Sequence, residues 1–256
     1  MKAEFTIPGF TENFGRNKLP LNFYFAEFLE KNSNVCFPVK IGSFYDCFNG
    51  MIWHGGRVYH NNDDHTITLA DIKHLVNDIN ESRIGVKLVC TNQLLEKKHL
   101  GDFYCNEVID IIAKNTKLNS VMVYSDVLFD YLKERYPELK LGLSTTKEVK
   151  DAKSVNKELE RYDYIVPSFL MNNDWEELSK VNNPDKLEIL VNETCDPDCD
   201  ARYWHYNIFS SANLNGGINV YVENQDMNCK FTKYKNIGLY EFLKRSPKAV
   251  TVDDLY

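Results

Sequence analysis

Ser120-Val121-Met122-Val123-Tyr124-Ser125-Asp126-Val127-Leu128-Phe129-Asp130-Tyr131-Leu132-Lys133-Glu134-Arg135-Tyr136-Pro137, with Lys140-Leu141-Gly142-Leu143-Ser144 close behind, decides the fold class. A short β-branched run gives way to polar residues. A helical pattern follows, with Leu128, Tyr131 and Leu132 at three- and four-residue spacing, and then a second apolar run begins. Ser125 or Asp126 supplies the N-cap, and Pro137 stops the helix near Tyr136.

The same unit recurs in both directions. Strands are expected at Val35–Ile41, Val86–Cys90, Ser120–Tyr124, Lys140–Leu143, Tyr164–Val166 and Leu187–Val191, with Lys2–Ile7 ahead of them. Helices are expected at Phe23–Leu29, Leu69–Ile79, Asn106–Ala113, Val127–Tyr136 and Trp175–Val181, with Thr68 and Asp174 as further N-caps. Strand–helix alternation with continuously apolar strands means parallel βαβ units. The reading is an α/β protein, a parallel (β/α) TIM-type barrel, incomplete or irregular, in one domain over 1–256 with an irregular C-terminal segment from about 207. An open doubly wound sheet is the alternative. Either fold gathers its chemistry at the C-terminal ends of the strands.

Composition narrows the partners. A net charge of -7 with scattered Lys and Arg disfavours extended nucleic-acid binding. No apolar stretch approaches a membrane span, and the seven cysteines read as reduced thiols of a cytoplasmic protein rather than a disulfide framework.

The strand ends are polar: Asp46 and Cys47, Thr91 and Asn92, Ser125 and Asp126, Ser144 and Thr145, Ser168, then Asn192, Glu193 and Cys195. Helix capping alone accounts for Ser125, Ser144 and Ser168. It does not account for Cys47, Asn192, Glu193 or Cys195. In Asn192-Glu193-Thr194-Cys195-Asp196-Pro197-Asp198-Cys199-Asp200-Ala201-Arg202-Tyr203-Trp204-His205, two cysteines four apart form half of a metal site, or else are two neighbouring loop thiols. Cys47 and Cys229 are the loop cysteines able to complete a set, whereas Cys36, Cys90 and Cys105 read as core. Four thiolates suit zinc or an iron–sulfur cluster equally. His205 is a ligand, an acid/base group or a packing residue beside Tyr203, Trp204 and Tyr206.

A second cluster, Gly42 to Arg57, carries His54-Gly55-Gly56-Arg57. Its glycines and Arg57 form an anion clamp or a plain hairpin. No Gly-x-Ser-x-Gly elbow exists, so serine hydrolysis is rejected, and nucleotide-loop, His-Glu-x-x-His and calcium-loop motifs are absent.

The run Leu187-Glu188-Ile189-Leu190-Val191-Asn192 with Cys195, Cys199 and Arg202, together with the early strand ending at Cys47, resembles the bacterial collagenase-like peptidase family. That family includes the oxygen-independent hydroxylation proteins of ubiquinone synthesis and RNA modification. The resemblance implies a β/α barrel holding a four-iron (4Fe-4S) cluster, with Cys195 and Cys199 as the close pair and Cys47 as an early ligand; Cys229, which follows no motif of the family, is the candidate fourth by elimination. Thr194, Asp196 and Asp198 replace the family's glycine- and serine-rich signature, which argues against protease activity.

Three functions stay open. One is a rim enzyme using an iron–sulfur cluster, or zinc in its place, for redox or oxygen-independent hydroxylation chemistry. It would act on a small-molecule or nucleoside-like substrate oriented by Asn92, Asn192, Glu193 and Arg57. Another is a metal-independent hydrolase or lyase with Glu193 and His205 as the acid/base pair. The third is a non-catalytic subunit that pairs with a related chain through Tyr203 and Trp204.

Overall fold

The computed structural model describes residues 4–9, 40–56, 67–191, 193, 199, 201–216 and 248. Six parallel strands stand side by side in chain order: β1 Glu4–Pro8, β2 Lys40–Asp46, β3 Gly85–Cys90, β4 Ser120–Val123, β5 Lys140–Leu143 and β6 Tyr164–Ile165. An isolated parallel bridge from Ile165 to Leu187 marks the place of the next strand. A doubly wound sheet would reverse its order at a switch point. This sheet never does, and it curls into a half-barrel.

The helices are α1 Leu69–Glu81, α2 Phe103–Ile112, α3 Asp126–Arg135, α4 Ala152–Glu158, α5 Trp175–Leu178 and α6 Arg202–Leu214. Their starts are built locally. Thr68 and Asp71 form a capping box on α1, and Ser125, Asp151 and Asp174 accept from backbone N–H groups of α3, α4 and α5. The α3 helix stops at Arg135, with Tyr136 as its C-cap before Pro137.

Phe44, Val86, Leu88, Val121, Val123, Leu141, Leu143 and Ile165 face the helices and join Leu75, Ile79, Val108, Ile112, Leu128 and Leu132 in one buried cluster. The opposite, concave face is polar. Thr6 Oγ1 lies 3.0 Å from Ser43 Oγ, Lys87 Nζ donates to Thr6 Oγ1 at 3.3 Å, and Ser120 Oγ lies 3.2 Å from the Tyr164 hydroxyl. Lys87 also pairs with Glu188, beside the bridge to β6, and sits 4.5 Å above the Tyr164 ring. Burial and the Glu188 charge push the Tyr164 hydroxyl well above its ordinary range. This interior ion pair joins β3 to the seventh-strand position, which holds the sheet curled.

Two expectations shift. The strand expected at Val35–Ile41 instead runs Lys40–Asp46, and residues 35–39 lie outside the described residues. Gly42 and Ser43, expected to open the loop after this strand, lie inside it: Ser43 meets Thr6, and a β-carbon at Gly42 would strike the Glu4 side chain. Regular structure also continues past 207, since α6 reaches Leu214. The expected helix at 23–29 lies outside the described residues. Among the described residues no helix is long and apolar enough to cross a membrane.

Candidate functional site

The α6 helix lies across the C-terminal ends of the strands. Its first residue, Arg202, is 7% exposed and anchors it at the β5–β6 end. Arg202 Nη2 donates to Glu193 Oε2 at 2.6 Å, and its Nε lies 3.8 Å from Glu148 Oε1. The guanidinium centre is 4.4 Å from the Phe169 ring and 5.3 Å from that of Tyr206, one turn along the same helix. Stacking between two rings while paired with carboxylates is a role lysine's point charge fills poorly.

Glu148, Phe169 and Glu193 each arrive from the loop after a different strand. Glu148 ends the turn Thr145–Lys147 that follows β5, with φ 53, a left-handed conformation costing a non-glycine residue roughly 1–2 kcal/mol. Phe169 begins the turn after β6, and Glu193 follows the seventh-strand position. Beside them, Lys147 Nζ donates to the Tyr124 carbonyl at 3.3 Å, lies 3.5 Å from Asp126 Oδ2 and stands 4.7 Å above the Tyr124 ring. Burial, then the nearby Tyr203, raises the Tyr124 hydroxyl.

At its other end α6 is fixed at the rim of β2 and β3. Asn213 Nδ2 donates to the His54 carbonyl at 2.8 Å, and Gln93 N donates to Ser210 Oγ at 3.0 Å. Asn92 Nδ2 donates to the carbonyls of Ile52 at 2.7 Å and Ser210 at 3.0 Å, while Asn92 Oδ1 accepts from Leu94 N. Asn92 is fully buried, and these bonds tie loops to α6. Ser210 and Asn213 lie about 12 and 17 Å along the helix axis from Arg202.

The expected site residues therefore distribute unevenly. Glu193 and Cys199 sit at the Arg202 end, with Cys199 partly exposed. His205 is on the adjacent turn of α6, its ring stacked 6.3 Å from Phe209, and burial lowers its pKa. Cys47 is fully buried in the apolar cluster that also holds Cys90 and Cys105, and it lies near enough to Tyr104 of α2 to help raise that hydroxyl to about 12, after burial and Cys105. Burial pushes the Cys90 and Cys105 thiols far up, as befits core cysteines. Arg57, Asn192, Cys195 and Cys229 lie outside the described residues, as does Cys36. Among the described residues, no group of three or more His, Cys, Asp or Glu could hold a metal ion.

Sequence reading gave no role to Glu148, Lys147, Tyr124, Phe169, Ser210 or Asn213. The one available signal was Arg202, an arginine three residues after Cys199 in an otherwise aromatic helix start.

Cysteine sulfur is a soft donor that fits zinc or iron. Cys199 at the rim suits such a group, whereas an apolar core disfavours the thiolate that Cys47 would have to become.

No family model matches the chain, and no curated protein does. Among solved structures, one described as the U32 peptidase Mk0906 is similar over 85% of this chain and 79% of that one, with a TM-score of 0.56 and 15% sequence identity. At that identity the likeness concerns fold. The U32 peptidases are the collagenase-like peptidases that the cysteine loop resembles.

Proposed function

We propose that the chain is a cytoplasmic enzyme working at the C-terminal rim of a U32-peptidase-like half-barrel, with its Cys-x3-Cys loop holding an iron–sulfur cluster or zinc. One observation carries the reading. The Glu193–Arg202 ion pair closes the loop containing Cys195 and Cys199, and Arg202 in turn reaches Glu148 and Phe169 at the ends of β5 and β6. Cys195 and Cys199 both fall between the two stapled residues in sequence, and the partly exposed Cys199 stands next to the rim, where barrel enzymes keep their chemistry.

Cys195 and Cys199 are the proposed close ligands and Cys229 a further one. Cys47 is left out of the set because it is buried among apolar side chains at the β2–β3 end, at the far end of α6 from Cys199. A bound cluster would supply electron transfer, as in the oxygen-independent hydroxylation proteins of the resembling family, and zinc would supply Lewis acidity. The residues around it have their own parts. Arg202 orients Glu193, Lys147 and Tyr124 border the same rim, and exposed Tyr203 and Trp204 offer aromatic faces to a small or nucleoside-like substrate. The same two aromatics would serve a related subunit instead if the chain acts in a pair.

Visible absorption of the anaerobically purified full chain tests the reading. Charge-transfer bands bleached by a reductant support a cluster, and stoichiometric zinc in colourless protein supports the zinc form. Colourless protein free of both metals overturns it and leaves Glu193 and His205 as the acid/base pair of a metal-independent enzyme.

A further inference from the structure

At the end of α6 away from the cysteine loop, the turn His54-Gly55-Gly56 packs on Thr91-Asn92-Gln93. Gly55 is a close-approach glycine. A β-carbon there would fall 2.6 Å from both Ser210 Oγ and the Thr91 carbonyl oxygen, and 2.7 Å from Asn92 Cα. Gly56 is different. A β-carbon on it would lie 3.3 Å from His54 Cε1, 3.6 Å from His54 Nε2 and 3.9 Å from Thr91 Oγ1. A methyl there would press on the imidazole, so glycine keeps the edge of the turn between His54 and the Thr91 hydroxyl clear of a side chain.

Polar atoms at this turn lack partners. Thr91 is 1% exposed, and its Oγ1 makes no hydrogen bond among the described residues. Both carboxamide atoms of Gln93 are also buried without a partner among the described residues. Asn92, between them, uses both its carboxamide oxygen and its nitrogen, so the unpaired atoms are those of Thr91 and Gln93. Buried polar atoms left unpaired are costly, and three within three residues call for a group that completes them.

We propose that this turn is a binding subsite for a small neutral group that both donates and accepts hydrogen bonds, a carboxamide or peptide amide, seated over Gly56 against Thr91 and Gln93. The Gln93 carboxamide presents a donor and an acceptor together, which matches another amide. The Thr91 hydroxyl takes either role. Charge argues the same way. His54 is 4% exposed, and burial holds its pKa at about 4, so the imidazole is neutral at neutral pH, its Nδ1 bonded to the Val89 carbonyl at 3.1 Å. The other bonded partners described here, Asn92, Ser210 and Asn213, are uncharged. Among the described residues no charged side chain bonds to this turn, so an ion would meet no described counter-charge, whereas an amide needs none. The subsite stands independently of the cysteine loop and of any metal.

Saturation-transfer NMR on the full chain with millimolar acetamide, and with acetate and methylamine as charged counterparts, tests the proposal. Transfer to acetamide alone is expected, weakened about tenfold or more in Thr91→Val and in Gly56→Ala. Neither variant should fail to fold. The Thr91 hydroxyl has no partner to lose, so Thr91→Val melts no lower than the parent, and Gly56 has no positive φ that alanine would strain. Absence of acetamide transfer in the parent, equal transfer in both variants, or preferential transfer to acetate or methylamine overturns the proposal. Metal content is read separately, so failure here leaves the rim reading untouched, and the reverse holds as well.

Discussion

Arg202 Nη2 lies 2.6 Å from Glu193 Oε2, nine residues earlier, and both cysteines of the Cys-x3-Cys pair fall between them. Removing the guanidinium takes away the cation that Glu193 and Glu148 share, although Glu148 keeps Lys150 at 3.0 Å. Arg202→Ala is expected to cost roughly 2–4 kcal/mol, below the full value for a buried pair because both carboxylates keep some water. Arg202→Lys should recover only part, having lost the stacking on Phe169 and Tyr206. Urea unfolding measures both, and an Arg202→Ala protein as stable as its parent would remove the staple from the account.

The Lys87–Glu188 pair inside the half-barrel makes a different demand. Lys87→Met alone strands a partly buried carboxylate and is expected to destabilise by about 2–4 kcal/mol, whereas Lys87→Met with Glu188→Leu should return close to the parent. A double-mutant cycle in which the two losses simply add would show that the pair does not couple β3 to the seventh-strand position.

Gly142 is fixed by Tyr164, not by backbone conformation. A β-carbon at Gly142 would lie 2.1 Å from Tyr164 Cζ, with the whole ring in the way. Gly142→Ala should cost about 1–3 kcal/mol by overpacking, and adding Tyr164→Leu should relieve much of that. Thermal melts of the single and double variants decide it.

His54 sets a pH dependence. Its folded-state pKa, about 4, is below the 6.5 of the unfolded chain, because burial penalises the cation. The unfolded state therefore binds the extra proton between those values. The contribution is fully present above pH 6.5 and is lost as pH falls toward 4, on the order of 3 kcal/mol in all. His54→Gln should flatten the stability profile over that window. An unchanged slope in the variant would mean that another group titrates there.

Much of this architecture was legible because it is local. The β3, β4 and β5 strands announce themselves as short, mostly apolar runs, and Ser125, Thr68 and Asp174 cap helices where the pattern begins. What escaped is made by long-range pairing. Lys87 and Glu188 are 101 residues apart, and no rule of spacing joins them. The α6 helix escaped because it rests on polar rim groups: its buried residues include Arg202, Ser210 and Asn213, so no apolar stripe reveals it. Strand β2 slipped because Gly42 and Ser43 read as the start of a loop, whereas in the sheet they face the Glu4 and Thr6 side chains. Of the four expected cysteine ligands, Cys47 and Cys199 are among the described residues, and the packing of Cys47 into the apolar cluster is a tertiary contact that no spacing rule gives.

The central claim is that the stapled loop, without Cys47, holds a metal. Iron, zinc and acid-labile sulfide per chain, measured on anaerobically purified parent, Cys199→Ser and Cys47→Ser proteins, test it most directly. The account predicts near-stoichiometric metal in the parent and in Cys47→Ser, and its loss in Cys199→Ser. A parent without metal, or a Cys47→Ser protein that loses it while Cys199→Ser keeps it, would contradict the account.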